Sequence, residues 1–355
     1  MKKILFLTLH RPNRSPSQRF RFEQYLQFFN NEDIEYEFSY LLNEYDDKIF
    51  YSNGKIFVKA YIVIKSFFKR LRELNQIKEN DIIFIQRECF MLGTSFFERR
   101  FAKSGAKVIF DFDDSIWLQN VSEANKTFVW LKNPNKTSKI IKCSYLVIAG
   151  NEYLANYALK YNKNVVIIPT TIDTNEYYKN SSPKNDKVTI GWSGSITTIQ
   201  HFEYALPFLK ELKNKFGNLI EFKVIGDANY VNEDLSIKGI AWNKETEIRD
   251  LSTFDIGIMP LPDDEWANGK CGLKGLQYMA LEIPTIMSPV GVNTEIIQDG
   301  VNGFLANSNE EWFAKLESLI LSEDLRVKLG KAGRQTVIKK YSVVANKDYF
   351  LSLFK

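Results

Sequence analysis

A loop with glycines and lysines in the second half of the chain carries the most specific chemical signal. It follows an apolar run, Ile256–Pro260, and enters a helical pattern near Leu273. Backbone N–H groups at the start of a helix favour an anion, and Lys270 and Lys274 add positive charge there. Gly272 lets the main chain approach a ligand closely. We therefore predict a diphosphate site with Gly272, Leu273 and both lysines as donors; a loop that only turns a strand into a helix is the alternative.

Aspartates at the end of another apolar run form a second candidate centre. The run VIFDFDDSIW at 108–117 places Asp111, Asp113 and Asp114 at the carboxyl end of a strand, where open α/β sheets bind ligands. One interpretation is a metal site, because the run contains Asp-x-Asp. Another is a phosphatase of the haloacid-dehalogenase type, which would use Asp111 and Asp113 as its nucleophile and acid–base pair.

Two arginines follow the first apolar run. The segment LTLHRPNRSPSQRFRFEQYL at 7–26 places Arg19 and Arg21 in a turn-rich loop. The planar guanidinium group suits phosphate recognition, so we predict that one of the two reaches a phosphate of a ligand. A salt bridge at the protein surface is the alternative for either residue.

The elements that must position these residues alternate along the whole chain. Short apolar runs separated by helical patterns are typical of parallel sheets covered by helices, so the predicted fold class is α/β. The expected strands are Ile4–Leu9, Ile82–Ile85, Lys107–Phe110, Tyr145–Ala149, Val165–Pro169, Val188–Trp192, Glu221–Ile225, Ile256–Pro260, Thr285–Met287 and Gly303–Leu305. The polar segment 171–187 is typical of a linker. We predict Rossmann-like domains at 1–172 and 173–340, with the tail, about 341–355, packing back onto the first.

Three stretches resemble the retaining glycosyltransferases of family four, which have the GT-B architecture. They are PLPDDEWANGKCGLKGLQYMALEIPTIMSPVGVNTEIIQDGVNGFL at 260–305, GWSGSITT at 191–198 and VVIIPTTID at 165–173. The resemblance implies two Rossmann-like domains facing a central cleft, the second of which holds a nucleotide-diphosphate sugar. It also implies retention of configuration and a glycan or lipid-linked acceptor, in surface polysaccharide or glycoconjugate biosynthesis. A UDP- or GDP-sugar would be the co-substrate, and no further cofactor is expected.

The same resemblance assigns further site residues and gives a third interpretation of the aspartates. The glycine loop at Ser193, Gly194 and Ser195 would contact the donor. Asp113 and Asp114 stand where the family has a histidine–aspartate pair facing the donor sugar. We prefer this interpretation: Asp113 would orient the sugar or accept a proton, and Asp114 would position the sugar or cap a turn.

The chain departs from the family pattern at several positions. Both family glutamates are absent, since Gly269 and Gln277 stand in their places. Gln277 retains the ability to hydrogen-bond ribose hydroxyls, and the acids at 263–265 are candidates to replace the first glutamate. The family's arginine and lysine after the glycine loop align with Ser195 and about Gln200, so Lys270 and Lys274 would supply that charge. These losses motivate a rival function, a catalytically weak sugar-nucleotide-binding or scaffold protein.

Composition excludes other classes of protein. Two histidines, and three cysteines without CxxC spacing, predict neither a zinc site nor a disulfide framework, and we expect no metal in the donor site. A net charge of +4 is too mild to indicate nucleic acid. No apolar stretch approaches the roughly 18 residues of a membrane-spanning helix. We therefore predict a cytoplasmic protein. The resemblance implies an enzyme of the hexosyltransferase type, which needs no metal if Lys270 and Lys274 hold the diphosphate.

The segment 55–74 is the most apolar helical pattern in the chain and also carries several cations. Its apolar residues recur at helical spacing, with Lys55, Lys59, Lys69 and Arg70 on other faces. We prefer a helix that packs its apolar face on a sheet and leaves a basic face in solvent. The alternative is a surface helix attracted to anionic lipid, which would place the protein at the inner face of the cell membrane as a peripheral protein.

Overall fold

The chain divides into two compact units. Unit 1 comprises the residues up to Thr170 together with Lys347–Lys355, and unit 2 comprises Thr171–Asn346. The computed structural model describes residues 3–31, 35–79, 81–118, 133–179 and 186–355. The middle of the predicted linker, residues 180–185, lies outside the described residues.

Among its described residues, unit 1 has one sheet of six parallel strands. They are β1 Lys3–His10, β2 Glu35–Leu42, β3 Ile82–Gln86, β4 Lys107–Phe112, β5 Leu146–Ala149 and β6 Val165–Ile167. Their order in the sheet is β2-β1-β3-β4-β5-β6. Strand β3 is buried along its whole length, as expected for a strand covered on both faces. All the strands are parallel, so the residues that follow β1, β3 and β4 lie at one edge of the sheet.

Helices connect these strands and cover the sheet. They are α1 Pro16–Arg19, α2 Leu26–Asn31, α3 Glu44–Phe50, α4 Ile56–Leu74, α5 Phe96–Ala102, α6 Lys136–Cys143 and α7 Glu152–Leu159. Aromatic rings fill the core beside them: Phe6 stacks on Phe22 with ring centroids 5.1 Å apart. The C-terminal residues join this core, because Phe350 stacks on Tyr25 at 4.3 Å.

Unit 2 repeats the plan with a five-stranded parallel sheet among the described residues. The strands of unit 2 in chain order are β7 Val188–Ser193, β8 Ile220–Ile225, β9 Val231–Asn232, β10 Ile237–Lys238, β11 Ile256–Met259, β12 Thr285–Met287 and β13 Phe304–Leu305. The sheet order is β13-β12-β11-β7-β8, and β9 with β10 forms a separate antiparallel pair. The helices are α8 Ile199–Glu203, α9 Leu206–Phe216, α10 Glu247–Leu251, α11 Glu265–Asn268, α12 Leu273–Ala280, α13 Asn293–Ile296, α14 Asn309–Leu321 and α15 Glu323–Thr336. The last helix, α16 Val343–Ser352, begins in unit 2, and its residues from Lys347 onward belong to unit 1.

The predicted α/β class with two Rossmann-like sheets is confirmed. Each expected strand is present within a few residues of its predicted ends. Strand β2 was missed, because it is an edge strand whose first half faces solvent. Glu35 and Glu37 interrupt its apolar residues, and Glu37 pairs with Lys3 across the strand boundary at 2.6 Å. An edge strand of this kind lacks the continuous apolar run by which the central strands are recognised.

The preferred interpretation of the 55–74 segment is only partly right. Ile62 is buried and Phe67 packs 5.1 Å from the Phe97 ring centroid, but most of the large apolar side chains face solvent. Helix α4 forms as the spacing predicts, but its apolar stripe faces solvent: Phe57 is 91% exposed and Tyr61 64%. The buried side of the helix includes Lys59, Arg70 and Glu73. Hydrophobic periodicity identified the helix correctly, but it does not determine which face meets the rest of the protein.

Candidate functional site

The N-terminus of α12 in unit 2 has the geometry of an anion site. Gly272 precedes the helix with φ +70°, and a Cβ at this position would lie 2.3 Å from Cδ1 of Ile296. Both facts require glycine there. The first N–H to bond within the helix is that of Leu276, to the Gly272 carbonyl at 3.0 Å. Gly272, the N-cap residue, has no side chain that could cap this terminus, and N–H groups in the first turn of a helix favour an anion.

Two ammonium groups lie beside this helix terminus. Lys270 places its Nζ 4.7 Å from the ring centroid of Trp266. Burial lowers the pKa of Lys274 to about 8; the carboxylate of Glu247 opposes this shift and the positive charge of Lys270 adds to it. A partly buried lysine next to a second lysine is electrostatically unfavourable until an anion binds. This part of unit 2 is therefore suited to a multiply charged anion.

A buried carboxylate that sequence analysis missed organises the same helix. Glu247 accepts hydrogen bonds from Tyr177 at 2.7 Å, from Trp242 at 2.8 Å and from Gln277 at 3.2 Å. The amide nitrogen of Gln277 also donates to Tyr177 Oη at 3.0 Å. The nitrogen is committed to this network, so the predicted contact of Gln277 with ribose depends on the amide oxygen alone. Glu247 lies 30 residues from Gln277 in sequence, and no short motif links them.

The glycine loop after β7 is tied to α12 from the opposite side. Tyr278 Oη accepts from the Ser193 N–H at 2.7 Å and lies 2.9 Å from Ser193 Oγ. A Cβ on Gly194 would lie 2.0 Å from the Trp192 ring, so a larger residue cannot occupy that turn. Ser195 is exposed and caps the short helical turn that follows, donating its N–H to Thr198 Oγ1 at 2.9 Å. Its hydroxyl is thus engaged locally, while Ser193 and Gly194 shape the loop.

Two of the three acids proposed as replacements for the first family glutamate make local contacts around α11. Asp264 Oδ1 accepts from the N–H of Ala267 at 2.7 Å and begins α11. Asp263 accepts from the Asn268 side chain at 3.1 Å. Gly269 follows directly as the cap of α11. The structure therefore gives Asp263 and Asp264 a local structural role.

In unit 1, Arg21 and Asp111 form a fully buried ion pair. Arg21 Nη2 lies 2.6 Å from Asp111 Oδ1, Nε donates to the same carboxylate at 3.2 Å, and Nη1 donates to the Ile168 carbonyl. Burial raises the pKa of Asp111, and Arg21 opposes that rise. Arg21 is therefore excluded as the phosphate-binding arginine, and the prediction stays with Arg19. The phosphatase interpretation also fails, because a nucleophilic Asp111 would have to be accessible.

Asp113 occupies a different environment from Asp111. It accepts from Arg87 Nε at 2.9 Å and from Ser17 Oγ, which in turn accepts from Gln86 Nε2 at 2.8 Å. Burial raises the pKa of Asp113, but the charges of Arg87 and Arg21 outweigh it and hold the pKa below its usual range. Asp113 is thus a fixed carboxylate, better suited to orient a hydroxyl group than to accept a proton.

The neighbours of Asp113 complete this edge of the sheet. Asp114 accepts from the N–H of Ser115 at 3.1 Å and lies 3.6 Å from Arg87 Nη2. Arg87 has φ +62°, a left-handed conformation that is rare outside glycine and concentrates at functional sites. Arg19 is buried at the end of α1, with its guanidinium 4.9 Å from the Phe20 ring centroid. No sequence motif indicated Arg87 as a site residue.

The Asp-x-Asp interpretation receives no support from the geometry. Within the ranges that the structure describes, no group of three His, Cys, Asp or Glu side chains is placed to hold a metal ion. The oxygens of Asp111 and Asp113 are instead directed at arginine side chains. These two carboxylates therefore belong to ion pairs of unit 1.

Residues 187–322 match the family model described as "Glycosyl transferases group 1". Sucrose-phosphate synthase from Thermosynechococcus elongatus has a similar structure, with a TM-score of 0.69 at 12% identity over 100% of this chain and 98% of that one. HepE from Anabaena, solved in complex with UDP-glucose, gives 0.67 at 12% identity over 99% of both chains.

A third similar structure is TarM from S. aureus, solved as a mutant in complex with UDP and sugar ligands. Its TM-score is 0.62 at 16% identity over 82% of this chain. The present chain spans 59% of the length of TarM. None of the curated protein sequences matches this chain. The fold is that of GT-B, and the match to the family model lies within unit 2.

Proposed function

We propose that this protein transfers a sugar from a nucleotide-diphosphate sugar to a glycan or lipid-linked acceptor, with retention of configuration. The observation that carries the proposal is the uncapped start of α12 with Lys270 and Lys274 beside it. A departing nucleoside diphosphate gains negative charge in the transition state, and preorganised N–H and ammonium donors stabilise that charge. The two lysines supply the charge that a divalent metal would otherwise supply, so the proposed transfer is metal-independent.

The donor we favour is a UDP-sugar, with a GDP-sugar as the alternative. The HepE and TarM structures contain UDP, which motivates the choice. We propose that Gln277 Oε1 accepts from a ribose hydroxyl and that the loop at Ser193 and Gly194 borders the diphosphate. For unit 1 we propose that Asp113 accepts from a sugar hydroxyl as a charged group and that Arg19 donates to a phosphate of the ligand.

Calorimetry with a panel of UDP- and GDP-sugars, followed by transfer and hydrolysis assays in the presence of a chelator, tests this proposal. We expect saturable binding of one donor class and turnover that survives removal of divalent metal. Binding without turnover on any acceptor would favour the rival, a sugar-nucleotide-binding or scaffold protein. Uptake of no sugar nucleotide at all would contradict both functions.

The lowered pKa of Lys274 predicts a pH dependence of donor binding. The protonated lysine binds the diphosphate, and its pKa in the free protein is about 8. Donor affinity should therefore fall as the pH rises above about 8, by up to about tenfold per pH unit. Calorimetric titrations across this range provide the measurement. The Lys274→Met variant is the control and should show no such fall; an unchanged wild-type affinity across the range would contradict the role of Lys274.

A further inference from the structure

Helix α4 of unit 1 buries Ile62 but presents several other large apolar residues to solvent. Four large side chains at helical spacing form one stripe on the exposed side, which we call the α4 stripe: Phe57, Tyr61, Ile64 and Phe68, exposed by 91%, 64%, 56% and 63%. Scattered exposed apolar residues are ordinary on a protein surface, but a continuous stripe of this size marks an interaction site. The donor site of unit 2 has no part in this surface.

A buried polar network on the opposite side of α4 fixes this orientation. Arg70 donates to the carbonyl groups of Thr8 at 2.7 Å and Cys89 at 2.8 Å, and to Ser39 Oγ at 3.0 Å. It also pairs with Glu73 at 2.7 Å. Turning the apolar stripe inward would expose or break these bonds, and each buried charged partner left behind would be costly. The stripe is therefore held in solvent by the structure of unit 1.

The charges around the stripe identify the kind of partner. The segment 55–72 contains six lysines and arginines and no aspartate or glutamate. Lys55, Lys69 and Arg72 are exposed on the helix that carries the stripe. A second copy of the chain would bring the same cations together, which opposes dimerisation through this face. An apolar stripe bordered by cations complements a membrane surface with anionic headgroups.

We propose that α4 docks on the surface of an anionic phospholipid bilayer, with the α4 stripe inserted between headgroups and the basic residues beside lipid phosphates. In this proposal the helix lies on the membrane surface and does not cross it, since no helix in the described parts of the chain is long and apolar enough to span a bilayer. The proposal is independent of the donor site and would bring unit 1 to a membrane where lipid-linked glycans are found.

Flotation of the full chain with lipid vesicles tests the proposal. Vesicles of phosphatidylglycerol with phosphatidylcholine should carry the protein, and vesicles of phosphatidylcholine alone should bind it weakly. The double variant Phe57→Ser, Phe68→Ser should bind the anionic vesicles about 100-fold less tightly, because two large apolar side chains no longer insert. Its matched control is Leu159→Ser, which removes an exposed apolar side chain on α7 and should bind normally.

A second pair of variants examines the charge. Lys55→Gln with Arg72→Gln should weaken binding to anionic vesicles roughly tenfold or more, since each cation near such a surface contributes about 1 kcal/mol. Lys139→Gln with Lys142→Gln, two exposed positions on α6, is the control and should have no effect. The two α4 double variants and their two controls should all unfold at the wild-type temperature and bind donor normally. This outcome would show that the loss of membrane binding does not come from the donor site. The membrane proposal would be overturned if the wild type bound neutral vesicles as well as anionic ones, or bound no vesicles. A solution dimer that the variant Phe57→Ser, Phe68→Ser abolishes would also overturn it.

Discussion

Replacing Lys274 with methionine is expected to weaken binding of the sugar-nucleotide donor by roughly 10- to 100-fold. A hydrogen bond to a charged group contributes about 1.5–3 kcal/mol, and in the proposed site Lys274 donates one to the diphosphate. Methionine retains most of the volume and apolar stem of lysine, so packing near Glu247 should persist. Calorimetry with the donor identified for the wild type measures the effect.

The stability of the unliganded variant distinguishes a binding role from a structural one. The folded-state pKa of Lys274, about 8, lies below its ordinary value of 10.5, so burial of the charged form opposes folding at neutral pH. Lys274→Met should therefore unfold at the same temperature as wild type or above it while binding donor poorly. The exposed Lys328 of α15 is the control, and its methionine variant should bind normally. A Lys274→Met protein with full donor affinity would defeat the proposed diphosphate site.

Loss of the Arg21–Asp111 pair should produce the largest change in stability. The Arg21→Met variant leaves the buried carboxylate of Asp111 without its partner, so its free energy of unfolding should fall by about 3–5 kcal/mol. Urea unfolding followed by circular dichroism measures the loss. Burial then raises the pKa of Asp111 further, and a group with a raised folded-state pKa stabilises the protein at low pH. The deficit should therefore shrink as the pH is lowered.

A double-mutant cycle separates this pair from ordinary packing. Arg21→Met with Asp111→Leu should be less destabilised than the sum of the single variants, since neither charge remains buried alone. The exposed pair of Lys3 and Glu37, 2.6 Å apart, is the control; Lys3→Met should cost less than about 1 kcal/mol. A small loss for Arg21→Met would mean that water or another cation compensates Asp111, and the structural role given to the pair would be wrong.

Much of the fold could be predicted because local pattern controls it. Central strands such as β3 and β4 are continuous apolar runs, and α4 has a clear helical periodicity. Both kinds of element can therefore be recognised from the local sequence alone. The start of α12 was also legible, because Gly272, Lys270 and Lys274 lie within five residues of one another. The confirmed α/β class follows from the order of these elements. The roles of the lysines stay predictions.

Residues brought together from distant parts of the chain could not be predicted. Arg19 and Arg21 are two residues apart and have the same chemistry, yet only Arg21 forms the buried ion pair with Asp111, 90 residues away. Glu247 joins Gln277 only because α10 and α12 meet in unit 2. Arg87 acquired its partner through the parallel register of β3 and β4. Sequence spacing holds no information on such contacts.

By itself the sequence determined the alternation of strands and helices, the glycine turn before α12, and the amphipathic character of α4. These depend on backbone geometry and on residues within a few turns of each other. Tertiary structure alone decided which arginine is buried, which aspartate is held charged, and which face of α4 meets solvent. Those outcomes depend on desolvation and on partners distant in sequence. A charge can be buried without a large cost only beside its counter-charge. The three-dimensional packing must therefore be known before a role can be assigned to a buried arginine or aspartate.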